Sequence, residues 1–271
     1  MIRLAVRVAR ADAELVLAEL LELAPSGVEE VDLGDDAVEY AVYGAPGELP
    51  ALGRVEAAAG DALIEVSSEV LADDWAERWR QFHRPLVLDQ RLRVRPPWET
   101  PGSEPLDVVI DPGRAFGTGA HPTTRLCLEL ILGLPIAEGP FVDLGCGSGV
   151  LAIAAARLGF APVLALDFDP AAIDATRENA VRNGVELEAR RFDLRAERVP
   201  ARGTVAANLL APLLREWARG GDVPADRVIA SGLLEHEGDG VAAAFAERGL
   251  RERDRRSGGG WLALLLERAL P

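Results

Sequence analysis

The chain has 271 residues and carries 44 Asp and Glu against 29 Lys and Arg, a formal charge of −15. That excess of acid argues against a protein that grips a phosphate backbone over a large area, and it suits solubility or attraction to a basic partner. Apolar residues make up 49% of the chain and aromatics only 5%, so alanine, leucine and valine must fill a core sufficient for two domains, and a disordered chain is excluded.

Residues 2–8 alternate apolar and charged and predict a strand, with Ile2, Leu4, Val6 and Val8 on one face and Arg3 and Arg7 on the other. Residues 11–23 carry leucines at helical spacing, with Asp12 where the helix dipole favours an anion and Pro25-Ser26-Gly27 as a stop. Two strands follow at 28–33 and 37–43, joined by the turn Gly34-Asp35-Asp36, then a helix at 50–59 and a strand at 62–70. The order strand, helix, strand, strand, helix, strand predicts a small ferredoxin-like α+β domain over residues 1–70. Residues 71–96 read as a linker helix and connection; Trp75, Trp79 and Phe82 form its apolar stripe, and Pro85 ends it.

Residues 97–271 read as a second domain of α/β class. Strands at 141–144, 163–167, 185–191, 204–208 and 227–231 alternate with helices at 150–158, 170–183, 212–219 and 235–248, which predicts a mainly parallel sheet covered on both faces. The tail gives two strands, 250–254 and 261–268, with no helix between them, so they pair antiparallel across the glycines near 258–260. That ending is typical of a seven-stranded, Rossmann-like methyltransferase sheet. A plain dinucleotide fold would continue strand, helix, strand.

The first strand of this sheet runs into Gly145-Cys146-Gly147-Ser148-Gly149, where glycines permit a tight turn and close approach to a ligand. The same stretch also fits a dinucleotide fingerprint through Gly147, Gly149 and Ala152. Two acids stand at the tip of the next strand. Asp167 is placed to bind both ribose hydroxyls, and Asp169 ahead of Pro170 to cap the next helix, though either acid could serve as the cap. Asp193 follows the third strand as a candidate for an adenine edge or as a solvated loop acid. Asn208 ends the fourth, either meeting a methyl-accepting atom at the carboxyl end of the sheet or capping the helix behind it.

Ahead of the sheet, residues 110–125 are rich in glycine and end in Thr123 and Thr124 at a helix start, where amides and hydroxyls can hold a carboxylate; a loop before a helix capped by Thr123 is the plainer reading. His121 in this segment is either a proton acceptor or a brace for the loop. Cys127 and Cys146 lack partners at metal-ligand spacing, so no metal is expected. Residues 1–10 lack the apolar core of a signal peptide and no apolar run is long enough to span a bilayer, which predicts a soluble, cytoplasmic protein.

Four stretches, DPGRAFGTGAHPTTRLCL, VDLGCGSGVLAIAAARLG, ALDFDPAAIDATRENAVRNGV and AANLLAP, together resemble the bacterial ribosomal protein L-eleven methyltransferase family (PrmA-type). The resemblance implies a class I enzyme dependent on S-adenosyl-L-methionine, with cofactor contacts at Thr124, Gly145, Asp167 and Asn208 and with Gly147 and Phe116 beside them. Asn208 and His121 are its candidate catalytic residues. It further implies a monomer that methylates lysine and N-terminal amines of a basic large-subunit ribosomal protein before ribosome assembly, without direct nucleic-acid or membrane binding. Methylation of lysines on a different protein is the alternative, with a NAD-dependent dehydrogenase behind it.

Overall fold

The computed structural model describes residues 2–13, 16–17, 20, 23, 28–34, 36–44, 49–50, 52–70, 85–112, 121–134, 139–200, 203–221 and 223–268. The aromatic stripe of residues 73–84, and residues 113–120 with Phe116 among them, lie outside these. The chain divides into two compact units, Met1–Phe82 and His83–Pro271.

In the first unit, strands β1 (Ile2–Ala9), β2 (Glu29–Asp32), β3 (Ala37–Gly44) and β4 (Leu63–Val70) form one antiparallel sheet in the order β2-β3-β1-β4. The period-two alternation sends Leu4, Val6, Val8, Val38 and Tyr40 to one face. There they pack on helical Ala13, Val16 and Leu20 and on Val55 of helix α1 (Leu52–Ala59). The Tyr40 hydroxyl donates to the Ala13 carbonyl at 3.0 Å, so the largest side chain in this core leaves no polar atom orphaned. On the opposite face Glu39 accepts from Arg3 at 2.6 Å and from Arg7 at 3.2 Å.

The second unit begins with a small sheet, β5 (Leu86–Leu88), β6 (Leu92–Arg95) and β7 (Leu106–Val109), in which β5 and β6 pair antiparallel and β6 and β7 parallel. The first two strands fall in the stretch read from sequence as a connection, which is corrected here. Their turn is made by Asp89 and Gln90, both at positive φ (48° and 55°), without the glycine or asparagine that usually signals a hairpin.

The main sheet has seven strands in the order β10-β9-β8-β11-β12-β14-β13. They are β8 (Phe141–Leu144), β9 (Val163–Asp167), β10 (Glu188–Arg191), β11 (Thr204–Asn208), β12 (Arg227–Leu234), β13 (Leu250–Gly258) and β14 (Trp261–Arg268). All pairings are parallel up to β12; β14 then runs antiparallel to both of its neighbours.

Helices α2 (Pro122–Gly133), α3 (Val150–Leu158) and α4 (Pro170–Asn183) share one apolar cluster with Phe141, Ala206 and Ile229. Helices α5 (Ala211–Arg219) and α6 (Gly238–Ala246) share the other with Val142, Val205, Val228 and Leu264. Adjacent strand residues thus serve opposite clusters, as a sheet buried on both faces requires. The strand order reverses between β9-β8 and β8-β11, and that reversal opens a crevice at the carboxyl ends of those strands.

Candidate active site

Three strand ends meet at this crevice. After β8 the chain turns through Gly145, Gly147 and Gly149, all at positive φ. A Cβ on Gly145 would come within 2.5 Å of Leu209 Cδ2, and one on Gly232, at the bulge of β12, within 2.5 Å of the Leu209 carbonyl oxygen. Leu209, just after β11, is therefore seated between two positions that only glycine fills.

At the end of β9, Asp167 accepts hydrogen bonds from the Gly147 N–H (2.9 Å, Oδ2) and the Asp169 N–H (3.0 Å, Oδ1). A carboxylate offers about four acceptor positions, so roughly half of its capacity stays open. Of the two acids at this tip, Asp169 takes the cap: its Oδ1 accepts from the Ala171 N–H at 2.9 Å at the start of α4. Asp193, after β10, accepts from the Arg195 N–H at 2.9 Å and holds the local turn.

Gly145, Asp167, Phe168, Asp193, Leu209 and Leu213 line a cavity of about 310 Å³, within the usual range for a small-ligand pocket. Its wall is mainly apolar, with the carboxylates of Asp167 and Asp193 and the guanidinium of Arg195 on it. Phe168 is 58% exposed, and the Arg191 guanidinium lies 4.6 Å from its ring centroid. Sequence reading passed over Phe168 and Leu209, since a lone aromatic and a leucine carry no signal beyond packing.

On the other side of β11, His121, Thr123 and Asn208 form a chain of contacts. His121 is the N-cap of α2, so the cap is not Thr123: the His121 Nδ1 accepts from the Thr123 N–H at 3.3 Å and lies 2.7 Å from Thr123 Oγ1. A nitrogen that accepts an amide hydrogen carries no proton of its own, so the Thr123 hydroxyl must donate to it. Thr123 Oγ1 then has only lone pairs left, and it accepts from Asn208 Nδ2 at 3.1 Å. The amide of Asn208 is thereby oriented, with Oδ1 unengaged among the described residues.

His121 packs edge-to-face on Trp261, 5.0 Å between centroids, and burial pushes its pKa below the ordinary value, which keeps the ring neutral near pH 7. Thr124 is only 1% exposed, and its Oγ1 has no hydrogen-bond partner among the described residues. The two threonines read together from sequence as carboxylate holders therefore part. Thr123 is committed to Asn208 and His121, and Thr124 is open.

Behind the glycine turn Asp143 is buried, 1% exposed, and accepts from the Ala152 N–H at 3.0 Å. Burial, with a smaller contribution from Asp167, pushes its carboxyl up to about 7. Burial likewise pushes the thiols of Cys127 (to about 12) and Cys146 well up, so neither is a nucleophile at neutral pH. Among the described residues no group of His, Cys, Asp and Glu could hold a metal ion.

The family model of the ribosomal protein L11 methyltransferase (PrmA) matches residues 50–269. The chain belongs to this family. A ribosomal protein L11 methyltransferase of Heliobacterium modesticaldum is 39% identical over 204 residues, covering 73% of this chain and 65% of that protein. One of Pectobacterium atrosepticum is 42% identical over 186 residues, covering 65% and 61%. The chain thus spans under two thirds of the length of these curated relatives. A crystal structure of a ribosomal protein L11 methylase from Lactobacillus delbrueckii subsp. bulgaricus superimposes with a TM-score of 0.62 at 28% identity, over 69% of this chain and 98% of that one. The main sheet is accordingly a mixed α/β methyltransferase sheet.

Proposed function

We propose that this protein is a class I methyltransferase that uses S-adenosyl-L-methionine to methylate lysine and N-terminal amines of a basic large-subunit ribosomal protein of the L11 type, acting in the cytoplasm as a monomer. The observation that carries the reading is Asp167. It is held by two backbone N–H groups at the strand reversal, keeps acceptor capacity for a ribose diol, and faces an apolar cavity beside a glycine turn. The buried Thr124 hydroxyl, without a hydrogen-bond partner among the described residues, and Gly145, where a Cβ would run into Leu209 of the cavity wall, fit the same donor. The strand order of the main sheet and its closing antiparallel hairpin suit a seven-stranded methyltransferase domain. The order β2-β3-β1-β4 suits a ferredoxin-like front domain that selects the substrate. Membership of the family, and a charge of −15 opposite a basic partner, support the choice of substrate.

In this reading Asp167, Gly145, Gly147 and Thr124 hold the donor, together with Phe116 and the backbone near Asn208. Bound S-adenosyl-L-methionine supplies an electrophilic methyl group on a positively charged sulfur, a charge that also disfavours the protonated form of an amine beside it. A lysine amine, with an ordinary pKa of about 10.4, must lose a proton before it can attack. Asn208 Oδ1 accepts an N–H from the incoming amine and thereby aims its lone pair; alignment of this kind supplies much of the rate in a displacement. His121 in this reading braces Thr123: its Nδ1 accepts from the Thr123 N–H and lies 2.7 Å from Thr123 Oγ1.

The test is incubation of the protein with labelled S-adenosyl-L-methionine and ribosomal proteins stripped of methyl groups, read by mass spectrometry. Label on L11 is expected, and Asp167→Ala should weaken donor binding about 10- to 100-fold, the usual worth of charge-assisted hydrogen bonds. Label on another protein keeps the reaction and discards the substrate. Binding of NAD in place of the donor discards both.

A further inference from the structure

Helix α4 carries two buried asparagines one turn apart, Asn179 and Asn183, 1% and 9% exposed. Their spacing puts both on one side of the helix, against the free edge of β7. The other edge of β7 is bonded to β6, and the Ile110 N–H that follows donates to Arg95. The alternate N–H groups, those of Val109 and Asp111, therefore need partners elsewhere.

Asn183 copies a neighbouring strand. Its Oδ1 accepts from the Val109 N–H at 2.8 Å and its Nδ2 donates to the Val109 carbonyl at 2.7 Å. Asn179 does something different. Its Oδ1 accepts from the Asp111 N–H at 3.0 Å while its Nδ2 donates to the Ser148 carbonyl at 3.0 Å, inside the glycine turn. Arg182 adds a second donor to Asn179 Oδ1 at 3.2 Å and an ion pair to Asp111 at 3.3 Å. One amide thus joins two pieces of chain, one of which runs from the cavity wall at Gly145. One is the turn that holds Gly145 and Gly147; the other is the strand end that leads, after Pro112, into residues 113–120 and the start of α2.

We propose that Asn179 is a positioning residue for the methyl donor: through the Ser148 carbonyl it ties the glycine turn to the strand end at Asp111, and so fixes where Gly145 stands in the wall of the donor site. The proposal rests on the reading of this crevice as a donor pocket. Asn179 itself does not line the cavity. It acts through the Ser148 carbonyl and the Asp111 N–H, both of which would lose this bond with any apolar replacement.

The experiment compares Asn179→Ala, Asn179→Asp and Asn183→Ala in the full chain. S-adenosylhomocysteine binding is read by calorimetry, thermal unfolding without ligand is read alongside, and turnover is resolved into kcat and the KM for the donor. Asn179→Ala is expected to bind S-adenosylhomocysteine about 10- to 100-fold more weakly and to raise the donor KM by a similar factor, the scale on which small misplacements act, with kcat at saturating donor nearly unchanged. Asn179→Asp retains the acceptor for Asp111 but replaces the donor to Ser148 with a carboxylate oxygen that faces the same carbonyl; it should show at least the same loss of affinity, and it serves if the alanine variant does not fold. Asn183→Ala should lower the melting temperature at least as much while leaving affinity within about threefold, because its bonds stop at β7 and its own helix. If the Asn179 variants melt earlier yet bind with wild-type affinity, the residue is only structural and the proposal is overturned. If the unaltered protein itself takes up no S-adenosylhomocysteine, it is the donor-pocket reading that falls.

Discussion

The two units of the chain place their polar side chains in opposite ways. In the front unit Arg3, Arg7, Glu39 and Glu65 sit on the outer face of the sheet and pair with one another, while the buried cluster under the sheet is apolar apart from the hydroxyl of Tyr40. In the second unit Thr123, Thr124, Asp143, Ser148, Thr176, Asn179, Asn183, Thr204 and Ser231 are all buried; no buried polar side chain is found in the front unit among the described residues. Burying a polar group is costly unless it is bonded, so such groups are kept where they hold something in place. Several of these bond directly to parts of the crevice: Thr176 to the Gly147 carbonyl, Asn179 to the Ser148 carbonyl, Thr123 to Asn208, and Ser231 to the Thr123 carbonyl. A cluster of charged pairs can be laid on top of an apolar core, whereas a crevice of this kind is wired into one.

That contrast can be broken at graded cost. The largest effect is expected from Asn208→Ala, which removes the oriented amide. Turnover should fall about 100-fold or more, the scale of a lost positioning contact, while the melting temperature stays close to wild type, because the residue is only half buried. Near-normal turnover would remove Asn208 from the chemistry. Next comes Thr123→Val, isosteric but without the hydroxyl that orders Asn208. A loss of about tenfold in kcat, the worth of one well-placed hydrogen bond, with unchanged S-adenosylhomocysteine affinity, would confirm that the hydroxyl acts through Asn208.

Asp143→Asn probes the buried acid by pH. The folded carboxyl titrates near 7 against an ordinary 3.8, so the fold favours its neutral form. The stability that this contributes is fully present below about pH 4 and is lost as pH rises to about 7, since the native state then holds a proton that the unfolded chain has released. Melting temperatures measured from pH 4 to 8 should show wild type losing ground to the variant across that window, and parallel curves would mean that Asp143 titrates normally.

The smallest effect belongs to the front unit. Glu39→Gln loosens a surface cluster in which hydrogen bonding from Arg3 holds the carboxyl below its ordinary pKa. With only 14% of the Glu39 side chain and 21% of the Arg3 side chain exposed, it should cost about 1 to 2 kcal/mol, the scale of a hydrogen bond to a charged group, and leave S-adenosylhomocysteine affinity untouched. A change in affinity there would show that the two units are coupled.

Much of the second unit can be read from the chain because its punctuation is strong. Helices α3 and α4 run over the residues predicted, 150–158 and 170–183, since each ends on a glycine at positive φ and α4 opens on an Asp cap and a proline. β10 came out shorter than read, Glu188–Arg191 against 185–191, because Val185 and Leu187 pack on the core without joining the sheet. The strands β5 and β6 stayed hidden behind a turn of Asp89 and Gln90, whose left-handed backbone the residue types do not announce.

The site was legible where backbone geometry demands a residue type, at the glycine turn and at the acid on the tip of β9. It was illegible where a polar side chain is simply buried. Nothing local distinguishes Asn179, which ties two loops together, from an asparagine on a wet helix face. Likewise Thr123 and Thr124 look alike in sequence, and only the contacts across the sheet assign one to Asn208 and leave the other open.

The position of β14 has a consequence for how the molecule assembles. This strand, from late in the chain, lies inside the main sheet, wedged between β12 and β13, and its first residue, Trp261, buttresses the His121 ring at the start of α2. Until synthesis has passed residue 268 the sheet has a vacant slot and the helix carrying the two threonines lacks its support. The front unit, by contrast, has all its described strands in hand by residue 70. The pocket of the second unit therefore closes only once residues more than a hundred positions apart have met, the slow, long-range kind of closure.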